Sequence, residues 1–183
     1  MKQLLRRMTR AAMLDVHTFE EVEADRAALG QATLVVLLAC VSIGAARAWH
    51  GSQAGFATDR LIFQVVLSVI EPLALWVGGS AFAFMLGASF FRGPHTQTDF
   101  REVLRTTGFA FSPALLWSLV VVPPTLVGFS LYLAARAWTY VAVIVALRQA
   151  LDFDTFRAFG TFGCAALLLW LVLWGASVAP LPF

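Results

Sequence analysis

Between Leu61 and Phe91 the chain carries a single ionisable side chain, Glu71, over a length that a helix would extend to about 46 Å. No soluble strand or surface helix needs so long a stretch without charge. Inside a bilayer every backbone N–H and C=O must find its partner within the segment, so a run of this kind folds as helix. Cutting it in two leaves halves of about 15 residues, short of the roughly 20 that cross 30 Å of hydrocarbon. One tilted or kinked helix protruding towards the cytoplasm is therefore expected. Pro72 supplies the kink, because it has no amide to offer the carbonyl of Ser68. A re-entrant hairpin turning at Gly78-Gly79 is the rival arrangement.

Four further apolar runs have comparable character: Gln31 to Trp49, Thr107 to Val122 with Pro113 inside it, Thr125 to Arg148, and Phe156 to Ala179. Pro123-Pro124 separates the third from the fourth, since the second proline drives the first out of helical geometry. Composition agrees. Of the 183 residues 60% are hydrophobic and 13% charged, where a soluble domain carries roughly 25% charge. The expected fold is all-α: a polytopic membrane protein with a five-helix transmembrane bundle over residues 30–183. Residues 1–29 form a charged N-terminal helical segment ahead of it. Gly78, Gly79, Ala81, Ala83, Gly87 and Ala88, with Gly160 and Gly163, allow helices to approach closely, within the chain or in a homo-oligomer.

The charges set an orientation. With the N-terminus inside, the inner segments hold Lys2, Arg6, Arg7, Arg10, Arg26, Arg92, Arg101, Arg105, Arg148 and Arg157, and the outer ones only Arg47 and Arg60. That asymmetry satisfies the positive-inside rule for an N-in, C-out topology. Lys2, Arg6, Arg7 and Arg10 fall on a short amphipathic helix, which suits the anionic cytoplasmic lipid surface or a solvated tail. The acids that follow them do not resemble a secretory signal. Thr18 with Glu21 reads as a capping box opening the next helix, and Asp99 with Glu102 starts another before the third run. The net charge of +2 does not suggest a nucleic-acid partner.

Glu71 and Arg136 are the ionisable residues furthest inside the runs, each roughly 15 Å from an end at 1.5 Å per residue. A lone charge at that depth costs several kcal/mol, so the two are expected to pair across the second and fourth helices. The pair is either a static bridge or part of a hydrated cavity. Cys40 and Cys164 lie in apolar runs and read as packing residues. His17, His50 and His95 are scattered over loops. No Ser-His-acid set, HExxH, CxxC or phosphate-cradling glycine loop is present, so no catalytic, cofactor or metal site is expected.

Three stretches carry a resemblance. Phe100-Arg-Glu-Val-Leu-Arg-Thr-Thr-Gly108-Phe-Ala-Phe-Ser-Pro113 resembles the cytoplasmic loop and third span of the Yip domain family, the Ypt/Rab-interacting-type membrane proteins and their prokaryotic relatives. Its Gly108-Phe109 pair precedes Pro113 as in that family. Trp138 to Arg148 followed by Phe153-Asp-Thr155-Phe-Arg157-Ala158 is similar to the fourth span, loop and start of the fifth, and Thr18-Phe19-Glu-Glu-Val22 to the lead-in of prokaryotic members. The resemblance implies a five-span helical protein with a cytoplasmic N-terminus in a prokaryotic inner membrane. Its implied role is non-enzymatic: organising protein partners, membrane shape or an assembly. A small solute or ion transporter using Glu71 and Arg136, with helices interrupted at Pro72 and Pro113, is the alternative. The extended Asp-Leu-Tyr-Gly-Pro motif of eukaryotic members has no counterpart here, which argues against Rab-GTPase binding.

Overall fold

The computed structural model describes residues 1–89, 99–119 and 126–178. Seven α-helices and one 3-10 segment make up these residues: α1 (Lys2–Ala12), α2 (Val16–Ala24), α3 (Ala28–Gln53), α4 (Thr58–Ser89), α5 (Phe100–Phe109), the 3-10 segment Ser112–Leu119, α6 (Leu126–Ala150) and α7 (Thr155–Val178).

The long uncharged run is one helix. α4 continues through Pro72 and through Gly78-Gly79 as far as Ser89, so the hairpin alternative does not form. Gly78 instead meets Leu169 of α7, where an added Cβ would stand 3.1 Å from its Cδ1, and Gly87 meets Leu151 in the same way at 2.9 Å. Gly78 and Gly87, with the buried Ala83, thus serve packing within the chain. α3 runs four residues beyond Trp49, which shortens the connection to α4 and brings Arg47 inside a helix. Gly55 ends α3 in the left-handed conformation (φ +71°), with Phe56 N–H donating to the Gly51 carbonyl at 3.0 Å. That closure satisfies carbonyls a helix end otherwise leaves open. Leu14 (φ 61°) and Asp152 (φ 50°) close α1 and α6 with the same bonding pattern but without glycine.

Beyond Phe109 the expected helix over 107–122 is not continuous. α5 ends at Phe109, the chain turns through Ala110 and Phe111, and a 3-10 segment follows. Pro113 is the cause. It brings no N–H to the Phe109 carbonyl and its ring would strike it, and that carbonyl instead accepts from Ser112 Oγ at 2.7 Å. The Pro123-Pro124 stop lies outside the described residues. The helix start at Asp99 does form, with the Asp99 N–H donating to Glu102 Oε2 at 2.8 Å.

α3 is central. It packs on α4, α5 and the 3-10 segment, with Ala32, Val35, Val36 and Ala39 fully buried. Around it the outer faces of α4, α6 and α7 carry many exposed apolar side chains: Ile62 and Phe63 are 60% exposed, Phe159 63% and Val127 63%. Glu71 and Arg136 are exposed among them, and an exterior otherwise so apolar suits hydrocarbon. Among the described residues, α3 and α4 are each long and apolar enough to cross a membrane.

α2 is docked onto the end of the molecule where α5 and the α6–α7 turn also lie, and α1 packs on the 3-10 segment and the middle of α6 as well. Phe19 and Val22 of α2 are fully buried. Gln149 of α6 donates to Glu20 at 3.1 Å, and the indole of Trp138 donates to the Ala12 carbonyl at 2.7 Å. The cap of α2 is Asp15, three residues earlier than expected. Its carboxylate accepts from the His17 N–H and from the Thr18 hydroxyl, both at 3.1 Å, while Thr18 itself is buried within the helix.

Candidate functional site

Arg47 of α3, Glu71 of α4, Arg136 of α6 and Tyr140 one turn further along α6 line one cavity of about 70 Å³, with Leu75, Phe111, Ala114 and Thr139 completing its wall. α3, α4 and α6 carry these side chains, and the 3-10 segment closes the site. Gly44 lets α3 approach α4 so closely that an added Cβ would stand 2.7 Å from Ser68 Oγ. Arg47 lies one turn towards the α3–α4 connection from Gly44, and Glu71 one turn the other way from Ser68, a difference the long arginine side chain bridges. The 3-10 segment forms the third wall, because Ser42 Oγ of α3 holds the Leu115 carbonyl at 2.9 Å.

The structure therefore brings Glu71 and Arg136 to one cavity, but the salt bridge of Glu71 is made with Arg47. Arg136 donates through Nε to the Tyr140 hydroxyl at 2.8 Å, with its guanidinium 5.6 Å from that ring. Sequence reasoning missed Arg47 because it was placed with the outer charges at the rim of a shorter helix. The available signal was Gly55, which marks the true end of α3 and puts Arg47 two turns inside it. Arg47 Nη1 is buried and, among the described residues, has no hydrogen-bond partner. An unsatisfied guanidinium nitrogen in an apolar setting is costly, and the cavity lining includes two guanidiniums and one carboxylate. The arrangement can hold an anion with several acceptor oxygens.

A second cavity of about 70 Å³ adjoins it and is lined almost wholly by apolar groups, among them Trp76, Gly79, Val143, Phe162 and Leu169. Leu75, Phe111, Thr139 and Tyr140 line both cavities.

The four basic residues of α1 meet different fates. Arg7 is 3% exposed and bonded to Glu21 at 2.9 Å, Asp25 at 2.8 Å and Gln31 at 3.1 Å. Its carboxylate partners hold its pKa above the usual arginine value against the opposing effect of burial, and Arg7 in turn holds the Asp25 carboxyl below its usual range. Arg10 pairs with Asp15, whose carboxyl is lowered by hydrogen bonds from Arg10 and Thr18 against the opposing effect of burial. Arg6 reaches Glu21 at 3.6 Å while staying 61% exposed, and Lys2 is exposed. Arg7 is thus a core residue rather than a contact for a lipid surface. Opposite it, Arg105 of α5 is buried, donates to the Glu23 carbonyl and stands 4.0 Å from Glu102. Glu23 itself has its pKa pushed up to about 7, first by burial and then by Asp152, Glu102 and Glu20, with Arg105 opposing.

Cys40 is buried and Cys164 exposed, both as free thiols, and His17 contacts Glu20 at 3.1 Å on the surface. Among the described residues no group of three His, Cys, Asp or Glu side chains is placed to hold a metal. The resemblance motif gains a physical account. Gly108 is where α5 meets α3 and α4: an added Cβ would lie 2.8 Å from Ala32 Cβ and 3.1 Å from Trp76 Nε1, whose indole donates to the Leu104 carbonyl at 2.9 Å. Phe109 beside it is fully buried.

No curated protein and no solved structure matches the chain. The family model of the Yip1 domain matches residues 14–177, which takes in α2 to α7 and the Gly108-Phe109 junction, and the chain belongs to the Yip1 domain family.

Proposed function

We propose that this Yip1-family membrane protein works without catalysis, as a five-span, N-in and C-out protein of a prokaryotic inner membrane that organises a partner or the membrane at its cytoplasmic face. The observation that carries this reading is the fixed N-terminal pair. Arg7 and Arg105 clamp α1 and α2 onto the helices beneath, and the outward face keeps Lys2, Arg6, His17 and Glu20 exposed. A charged platform held rigidly against membrane helices binds a partner at lower entropic cost than a loose tail would. Lys2 and Arg6 also suit anionic headgroups.

Affinity capture in mild detergent, with and without residues 1–13, tests the platform. A partner captured by the whole chain and lost with the truncation is the expected result. A monodisperse protein that captures nothing and leaves liposome shape unchanged overturns it. Transport is the second reading, favoured by the charged cavity beside the proline-containing α4. Solute-dependent flux into liposomes that Glu71→Ala abolishes would support it, and absence of flux across a broad panel would remove it.

A further inference from the structure

The two adjoining cavities differ in chemistry in the way the two ends of an amphipathic molecule differ. One holds Arg47, Arg136, Glu71 and the Tyr140 hydroxyl; the other is bounded by Trp76, Val143, Phe162 and Leu169. Four side chains belong to both walls, so the two cavities are direct neighbours, close enough to take the two ends of one ligand. We propose that the pair of cavities is a binding site for one anionic phospholipid, with its phosphodiester at Arg47 and Arg136 and the start of an acyl chain in the apolar cavity.

Three observations carry the assignment. The lining carries two guanidiniums, Arg47 and Arg136, the group whose planar fork pairs best with a phosphodiester. Arg47 Nη1 is buried without a hydrogen-bond partner among the described residues, and a phosphate oxygen is the strong acceptor it lacks. Each cavity measures about 70 Å³, where a single water needs roughly 10–15 Å³. That leaves room for a tetrahedral phosphate in one and a few methylenes in the other. Glu71 and Arg136 are exposed on helices whose outer faces are otherwise rich in exposed apolar side chains, so a lipid reaches the site from the bilayer side. Glu71 has a defined part. It offsets Arg47 in the empty site and limits how strongly the cavity holds anions. The assignment rests on the membrane placement of these helices and not on a partner at the N-terminal platform, so either can fail alone.

The test is native mass spectrometry of the whole protein released from detergent, titrated with phosphatidylglycerol, with the matching diacylglycerol and with inorganic phosphate. One phosphatidylglycerol is expected to bind at least about tenfold more tightly than diacylglycerol, the scale of a lost charge-assisted hydrogen bond, and inorganic phosphate is expected not to displace it. Arg136→Gln should weaken phosphatidylglycerol about tenfold. Glu71→Gln should tighten it, a direction that a purely structural salt bridge does not produce. Gly79→Leu fills the apolar cavity from a position where an added Cβ meets nothing within 4 Å, and should weaken the lipid while thermal unfolding stays unchanged. Equal binding of diacylglycerol, displacement by inorganic phosphate, or wild-type affinity in folded Arg136→Gln and Gly79→Leu overturns the proposal.

Discussion

Gly108 shows how a single missing side chain fixes where three helices meet. Its hydrogen faces Ala32 Cβ, which is attached to helix backbone and cannot swing away. Gly108→Ala should therefore force α5 outward and lower stability by about 1–3 kcal/mol, the usual cost of overpacking, read as a lower melting temperature in detergent. The Gly-Phe spacing before Pro113 was legible in the sequence; the reason for it was not, because Ala32 and Trp76 lie 76 and 32 residues away along the chain. Arg7 makes the opposite point. Its amphipathic spacing suggested a surface position, but the acids of α2 and Gln31 of α3 gather around it. Replacing Arg7 with Gln leaves Glu21 and Asp25 without their buried counter-charge and should cost roughly 3 kcal/mol. Hydrogen exchange should show it as faster exchange over residues 2–24 with α3 and α4 unchanged. Equal exchange in both proteins would mean the clamp does not hold the pair. Glu71 was legible as a side chain needing a partner, yet the partner was Arg47, since helix register depends on where Gly55 ends α3.

Helix α4 was readable in advance because halves of its run are too short to cross a bilayer singly, which favoured one helix over a re-entrant hairpin, while the break after α5 was not. Both contain proline. In α4, Pro72 sits with helix on both sides; before Pro113, Ser112 takes over the carbonyl that proline leaves open and the chain tightens into 3-10 turns. Sequence pattern marks the proline but not which of these outcomes packing selects. The start of α2 was likewise misplaced because both Asp15 and Thr18 are good caps, and only the structure shows Thr18 buried and donating to Asp15. The junction of α2 with α5 and the α6–α7 turn carries a pH dependence. Folding raises Glu23 from an ordinary 4.5 to about 7, so the folded state holds this proton more tightly than the unfolded chain. Stability therefore falls as pH rises from about 4.5 through 7 and levels off above it. Glu23→Gln should be more stable than the wild type at pH 8 by about 1 kcal/mol, a value discounted for partial exposure, with the difference gone near pH 4. Thermal unfolding of both proteins across that range gives the comparison, in which the other titrating groups cancel. A constant difference at every pH would assign the effect to packing instead.

At the scale of the whole molecule, the charge pattern and the fold agree on one grouping. Arg7, Arg105 and Glu20 belong to elements that pack together with the last turn of α6, and the Gly55 turn joins α3 and α4 away from them. For the proposed topology, the positive-inside rule would put that grouping on the cytoplasmic side, and the number of crossings would then decide the side of the C-terminus. Single cysteines in a background lacking Cys40 and Cys164 test both. Ser52 before the Gly55 turn and Thr155 at the start of α7 are exposed, and among the described residues neither donates a side-chain hydrogen bond to a distant element. Ser52→Cys should react with a membrane-impermeant maleimide in intact cells, whereas Lys2→Cys and Thr155→Cys should react only after permeabilisation. Leu181→Cys should behave like Ser52→Cys, because an odd number of crossings places the two termini on opposite sides. Labelling of Leu181→Cys and Lys2→Cys from the same side would require an even number. The region between α5 and α6 would then have to be something other than a crossing, and the proline-broken 3-10 segment would be the element to reassign.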